Sequence, residues 1–162
     1  MRHIISATVE NKPGVLARIV GIITGRGYNI ETLNVAPGLE PDISRLTMTM
    51  TGDDAIIEQV AKQLNKMVDV IKVSDLTADA HLEGEYLFAT IATPRPKRSA
   101  ILETLTLLKA EVLVVNEKEV TVQFYGNEEA IAKFFALLKS HITDLSRSGP
   151  IAIAKGAKVG TH

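Results

Sequence analysis

With 162 residues, 46% of them hydrophobic, the chain is long enough to build one mid-sized domain or two small ones with real cores. A net charge of −1 gives no electrostatic case for nucleic acid or an anionic membrane. The absence of cysteine excludes a disulfide framework, a thiolate metal site and a cysteine nucleophile. The N-terminus runs directly into strand-like alternation rather than into a signal peptide, and the apolar runs are too short to span a bilayer, so the chain reads as soluble and cytoplasmic.

Ile5, Ala7 and Val9 alternate with Ser6 and Thr8, which predicts a first strand ending at Asn11. Asn11-Lys12-Pro13-Gly14 then forms a turn, with Pro13 suited to the first position of a helix. Val15, Leu16, Ile19, Val20, Ile22 and Ile23 supply that helix with one apolar face. Gly25-Arg26-Gly27 is a stop signal, reading as a left-handed glycine cap and a cation for the last carbonyls. A second strand is expected over 29–36 and a loop at Pro37-Gly38 and Pro41. In a third strand Leu46, Met48 and Met50 alternate with Arg45 and three threonines. That alternation predicts a sheet with helices on one face only. Asp53 or Asp54 caps a second helix bearing Ile57, Val60, Ala61, Leu64 and Met67, and residues 68–73 close the unit as a fourth strand.

The order is βαββαβ over residues 1–76. Residues 77–84 read as a linker, and a second βαββαβ occupies 85–162. Its elements are a strand over 86–93, a helix over 99–109, a hairpin turned around Asn116-Glu117-Lys118, a helix capped by Asn127, and a closing strand over 142–146. Pro150 to Ile153 reads as an extra edge strand. The fold class is therefore α+β, two ferredoxin-like domains in tandem.

The start of the first helix is the one place where polar groups suggest a ligand. A helix N-terminus offers unpaired N–H groups and a positive dipole end, and the Asn11 amide adds a donor and an acceptor beside it. That combination suits a small zwitterion such as a free amino acid. His3, His81, His141 and His162 have no second ligand nearby in sequence, so no metal site is expected. Glu31, Glu40 and Asp42 read as solvated carboxylates. Arg95, Lys97 and Arg98 form a basic knot, either a solvated helix start or a protein-contact patch. An RNA-binding member of this fold would need stacking rings, against an aromatic content of 4%. An acylphosphatase-like enzyme would need an arginine in the first turn, where this chain has Lys12 and Pro13.

Asn11-x-Pro-Gly14-Val-Leu resembles the signature of an ACT domain, an amino-acid-sensing module. The run from Arg26 to Pro37, the stretch Ile43-Ser-Arg-Leu-Thr47 and the segment Gln63 to Val73 resemble the regulatory small subunit of acetohydroxyacid synthase, also called acetolactate synthase. In the second half the likeness narrows to Arg147-Ser148-Gly149 and Lys155-Gly156, where family members usually carry an arginine before the glycine.

The resemblance implies a non-catalytic subunit with an N-terminal ACT domain and an ACT-like C-terminal domain. Such a subunit activates a separate catalytic chain, which holds thiamine diphosphate, magnesium and FAD, and carries no cofactor itself. It also confers feedback inhibition by valine or another branched-chain amino acid. The implied effector site lies between two ACT domains of a homodimer. Asn11 and the amides of Gly14, Val15 and Leu16 would come from one protomer, and Asn29 and Ile30 from the other. A tandem ACT sensor serving another enzyme is the alternative expectation.

Overall fold

The computed structural model describes residues 1–156; His162 and the last residues of the expected second domain lie outside them. The chain divides into two compact units. The first comprises Met1–Glu83 and the described residues 149–156, and the second Gly84–Ser148.

In the first unit, β1 (Arg2–Glu10), β2 (Ile30–Pro37), β3 (Ile43–Thr51) and β4 (Val70–Asp75) form an antiparallel sheet in the order β2-β3-β1-β4. The connections between them include α1 (Val15–Thr24) and α2 (Asp54–Asn65). The order βαββαβ is as the sequence reads, and β2 falls on an edge. Ile5, Ala7 and Val9 of β1 and Leu46, Met48 and Met50 of β3 face one way. They pack with Val15, Ile19 and Ile23 of α1 and Ile57, Val60 and Leu64 of α2 into one core. Asp53 caps α2, its Oδ1 accepting from the Ile56 amide at 2.9 Å.

The ends of α1 differ from the sequence reading. Gly14, not Pro13, borders the helix, with a left-handed backbone at φ 84°; Pro13 stays in the turn because that left-handed residue separates it from Val15. At the far end Gly25 is right-handed and Gly27 is the left-handed residue, at φ 79°. The Tyr28 amide donates to Ile23 O at 3.3 Å and the Gly27 amide to Thr24 O at 3.0 Å. This is a Schellman closure with Gly27 at its left-handed position and Tyr28 packed back on the core. No basic residue lies in the last turn. The neighbouring strand begins at Ile30, so Asn29 precedes it, and Val68 lies fully exposed ahead of β4.

The threonine face of this sheet is not open. Thr47 and Thr49 are buried, as is Ser6 on β1. Arg45 donates from Nε to Ser6 Oγ at 3.0 Å and from Nη2 to Ala152 O at 3.2 Å. Ile4, Leu76 and Ala152 make a small apolar cluster, and an added Cβ on Gly149 would stand 3.1 Å from Thr32 Cβ. The end of the chain thus returns to cover this face. Through that return the described residues 149–156 group with the first unit, within the range 85–162 expected for the second domain. Pro150–Ile153 is likewise no separate strand but the end of β8 (Ile142–Ala154).

In the second unit β5 (His81–Ala92), β6 (Glu111–Val115), β7 (Glu119–Gly126) and β8 take the order β6-β7-β5-β8. The helices are α3 (Arg98–Leu107) and α4 (Glu128–Leu138). Because β5 starts at His81, the expected linker shrinks to a few residues before it. Leu87, Ala89 and Ile91 of β5 and Val120, Val122 and Phe124 of β7 pack on Ile101, Leu105, Ile131, Phe134 and Leu138. Asn127 caps α4 as its sequence position suggests, with Oδ1 accepting from the Ala130 amide at 2.9 Å. The basic knot divides. The Arg98 Nη1 donates to Thr93 Oγ1 at 2.8 Å and to the carbonyls of Asn116 and Glu117 at 3.0 Å each. It braces the hairpin turn against the start of α3, whereas Arg95 and Lys97 sit in the 3-10 turn just before that helix.

Candidate functional site

The turn between β1 and α1 is built by three backbone bonds. The Asn11 amide donates to Asp42 O at 2.7 Å, the Lys12 amide to Glu10 O at 3.1 Å, and the Val15 amide to Lys12 O at 3.3 Å. Pro13 and the left-handed Gly14 then swing the chain into the helix. No side chain caps α1 and no acidic residue lies in its first turn. Its start therefore combines an uncompensated dipole with backbone donors that no side chain satisfies.

Asn11, Gly14, Val15 and Leu16 come together on this turn as the sequence suggests, but their roles separate. The Asn11 side chain donates from Nδ2 to Pro41 O at 2.8 Å. One N–H of its amide is thus committed to the loop between β2 and β3, which leaves the second N–H and Oδ1. The Val15 side chain is buried in the core and its amide is held in the turn, so the residue anchors the helix start. Leu16 is 41% exposed and presents an apolar side chain beside the turn. Gly14 has room for a Cβ, since the nearest heavy atom, Nη1 of Arg18, would be 3.7 Å away. What favours glycine there is the left-handed backbone, not lack of space.

Asn29 is exposed just before β2 and Ile30 half-buried at its opening, with β2 the edge strand of its sheet among the described residues. Glu31 accepts from Thr51 Oγ1 at 2.6 Å, and Thr32 and Thr49 share a hydroxyl contact at 2.5 Å.

The charges around the turn are partly internal. Lys12 Nζ lies 2.7 Å from Glu10 Oε2. That hydrogen bond, and then the Glu10 charge, raises the lysine pKa above its ordinary value. Arg18 pairs with Asp69. Arg18 is the residue that sequence reasoning missed: at four positions beyond Gly14 it lies over the helix start, and that spacing was its available signal. Arg18 and Asp69 also line an apolar groove of about 480 Å³ with Gly21, Ile22, Met67 and Val68. Among the described residues no three His, Asp or Glu side chains gather to hold a metal ion.

Residues 5–72 match the model of the AHAS small subunit-like ACT domain, and residues 84–156 the model of the small subunit of acetolactate synthase. The acetolactate synthase small subunit of Aquifex aeolicus is 40% identical over 156 residues, covering 95% of this chain and 81% of that one. The acetolactate synthase isozyme 3 small subunit of Escherichia coli is 35% identical over 161 residues, covering 98% and 99%. The chain belongs to the acetolactate synthase small-subunit family. The crystal structure of the acetolactate synthase small subunit from Thermotoga maritima matches with a TM-score of 0.86 at 26% identity, covering 96% of this chain and 98% of that one. The tandem ferredoxin-like architecture read from the sequence is thus the architecture of a family member, with an ACT domain first.

Proposed function

We propose that this small-subunit family member is the non-catalytic regulatory subunit of an acetolactate synthase. It binds a separate catalytic chain, raises that chain's activity, and makes it sensitive to valine or another branched-chain amino acid. Thiamine diphosphate, magnesium and FAD belong to the catalytic chain in this reading. The observation that supports it best is the uncapped start of α1 behind the left-handed Gly14. An effector carboxylate placed there meets unpaired amides and the positive end of the helix. The ammonium group can be accepted by Asn11 Oδ1, and the branched side chain can lie against Leu16.

The remaining contacts come from a second copy. β2 is an edge strand, and an unpaired edge is a ready template for another strand. Pairing two β2 edges about a dyad gives an isologous homodimer. It brings Asn29 and Ile30 of one protomer to the helix start of the other, so effector binding and association strengthen each other.

Reconstitution tests the whole reading. The purified chain, added to a separately purified catalytic subunit, should raise acetolactate formation and make it inhibitable by valine. Sedimentation should show a dimer that valine tightens. Failure to activate, together with a thermal shift by some unrelated amino acid, would assign the chain to another regulated enzyme.

A further inference from the structure

We infer that the second unit binds a small organic polyanion, bearing two or more carboxylate or phosphate charges, in the cavity between the β5–α3 turn and the β6–β7 hairpin. The inference stands on that cavity and not on the effector reading, which concerns the first unit.

The cavity has a volume of about 570 Å³, and Arg95, Lys118, His141 and Glu117 are among its lining residues. Its three basic side chains come from three separate places. Arg95 stands in the 3-10 turn before α3, Lys118 in the hairpin turn, and His141 in the 3-10 turn (Lys139–His141) after α4. Among the described residues none of the four side chains has an ion-pair or hydrogen-bond partner. Elsewhere in the unit the arginines are engaged: Arg98 holds Thr93 and the hairpin carbonyls, and Arg147 holds Glu85. Three basic groups against one carboxylate leave the cavity positive in a chain whose net charge is −1. A concave surface dominated by one sign of charge gathers counter-ions.

The frame is set before a ligand arrives. The buried Thr93 donates its amide to Lys118 O at 2.8 Å, and Arg98 ties Thr93 Oγ1 to the carbonyls of Asn116 and Glu117. Pro94 and Pro96 restrict the backbone on either side of Arg95. Only the side chains remain to be ordered, which lowers the cost of binding.

The donors select the ligand. Arg95 offers a planar fork, Lys118 a point charge and a neutral His141 one N–H, so acceptor-only groups such as carboxylates and phosphates match them. Donors on three turns are met together by an anion charged at more than one end. The cavity falls within the range of roughly 300–1,000 Å³ typical of small-molecule sites, more than a lone inorganic ion fills. Glu117 supplies an acceptor for a ligand hydroxyl. The first unit frames its candidate site with the same pair of loops, the Asn11 amide donating to Asp42 O before β3. There the donors are backbone amides at an uncapped helix; here they are cationic side chains, which suit a more highly charged ligand than a zwitterion.

Calorimetric titration of the full-length chain with citrate and with pyrophosphate, each against sodium chloride at equal ionic strength, tests this. At least one should bind saturably, one per chain. Citrate alone would mark the site as one for polycarboxylates, pyrophosphate alone as one for phosphates. Arg95→Gln and Lys118→Gln should each weaken that binding about tenfold, the worth of one charge-assisted hydrogen bond. Lys133→Gln, exposed on α4 and outside the cavity, should not. Gly14→Asp should leave it unchanged as well, which separates this site from the α1 turn whatever the fate of the effector reading. Heat no greater than that of sodium chloride for both anions, an adventitious ion only, would overturn the inference. Equal weakening by Lys133→Gln would do so too, by showing diffuse attraction. Binding of hexaglutamate with neither small anion bound would instead make the cavity a docking face for an acidic protein segment.

Discussion

The side-chain amide of Asn11 donates to the carbonyl oxygen of Pro41 at 2.8 Å, while the Asn11 backbone amide donates to Asp42 O at 2.7 Å. One residue thereby ties the turn before α1 to the loop that joins β2 and β3. That link holds the helix start beside the C-terminal end of β2, the end opposite Asn29 and Ile30. Asn11 has a structural task beside its proposed binding task, and the two can be separated.

Asn11→Ala removes both the Pro41 bond and the Oδ1 acceptor. Stability should fall by about 0.5–1.5 kcal/mol, the net worth of one such bond. Inhibition by valine should weaken as well. Asn11→Asp also lacks the donor, so its stability loss should be similar, but it keeps an oxygen for the effector's ammonium group. Urea unfolding compared with valine titration of the reconstituted enzyme separates the effects. Equal loss of sensitivity in the two variants would show that Oδ1 does not hold the ligand.

Gly14→Ala and Gly14→Asp form the second pair. Both force a Cβ onto a backbone at φ 84°, which costs about 1–2 kcal/mol of stability. The added Cβ itself meets no clash, because the nearest atom is the end of the Arg18 side chain. The aspartate adds a negative charge near the effector carboxylate. At about 5 Å and an effective dielectric of about 20, the repulsion is roughly 3 kcal/mol, or about a hundredfold in affinity. Gly14→Ala should therefore retain most valine sensitivity, while Gly14→Asp should lose it with activation of the catalytic chain intact. Unchanged inhibition in folded Gly14→Asp would move the effector elsewhere.

Asn29 is exposed and precedes β2. Asn29→Ala should leave the melting temperature unchanged and cost the effector about 1–3 kcal/mol if it supplies a hydrogen bond from the opposite protomer. Mixed dimers give a sharper readout. A dimer of one Gly14→Asp chain and one Asn29→Ala chain has one site with both defects and one with neither, so half the valine sites should bind normally. Two sites each weakened would mean that both residues act within one protomer.

The element order and both sheets were legible because periodicity is a local signal. Leu46, Met48 and Met50 alternate with threonines, and Ile131, Phe134 and Leu138 recur at helical spacing. Capping by Asp53 and Asn127 was legible for the same reason, since an N-cap side chain reaches only to the next turn. The return of Gly149–Ala154 to the first unit was not. Its partners, Arg45, Thr32 and Ile4, lie more than a hundred residues away, and a threonine row reads the same whether water or a strand covers it. At the candidate site the turn residues were visible as a motif. The commitment of the Asn11 donor to Pro41 was hidden, because a side chain's partner depends on a loop thirty positions on. The left-handed role of Gly27 rather than Gly25 was similarly ambiguous, as both glycines fit the same stop signal.

Gly149 gives a test of that unforeseen return. It is left-handed at φ 74°, and its added Cβ would come within 3.1 Å of Thr32 Cβ. Gly27 has nearly the same backbone, φ 79°, with nothing within 4 Å of an added Cβ. Gly27→Ala should cost about 1–2 kcal/mol from conformation alone. Gly149→Ala should cost that plus the strain of overpacking against β2, for a total of about 2–4 kcal/mol. Matching chemical-denaturation midpoints for the two would mean that the strand end does not press on Thr32.

In the second unit the ion pair between Arg147 and Glu85 offers the clearest electrostatic test. Arg147 donates from Nε to Glu85 Oε1 at 2.5 Å and from Nη2 to Oε2 at 2.9 Å. Its guanidinium also lies 5.1 Å from the Phe135 ring centroid. The Glu85 side chain is 8% exposed and that of Arg147 44%, so the pair is half screened by solvent. The Glu85 hydrogen bond raises the arginine pKa above its already high ordinary value. A raised basic group contributes stability that is complete below its unfolded pKa and is lost only as pH climbs through the folded one. On the arginine side the contribution is therefore constant across neutral pH. Glu85→Gln keeps the shape but removes one charge and turns a donor toward the guanidinium. It should cost about 1–3 kcal/mol, less than a fully buried pair because Arg147 can turn to water. Arg147→Lys loses the two-pronged geometry and should cost about as much. Urea unfolding at neutral pH decides the matter. A loss below about 0.5 kcal/mol for Glu85→Gln would place the pair among surface bridges that contribute little.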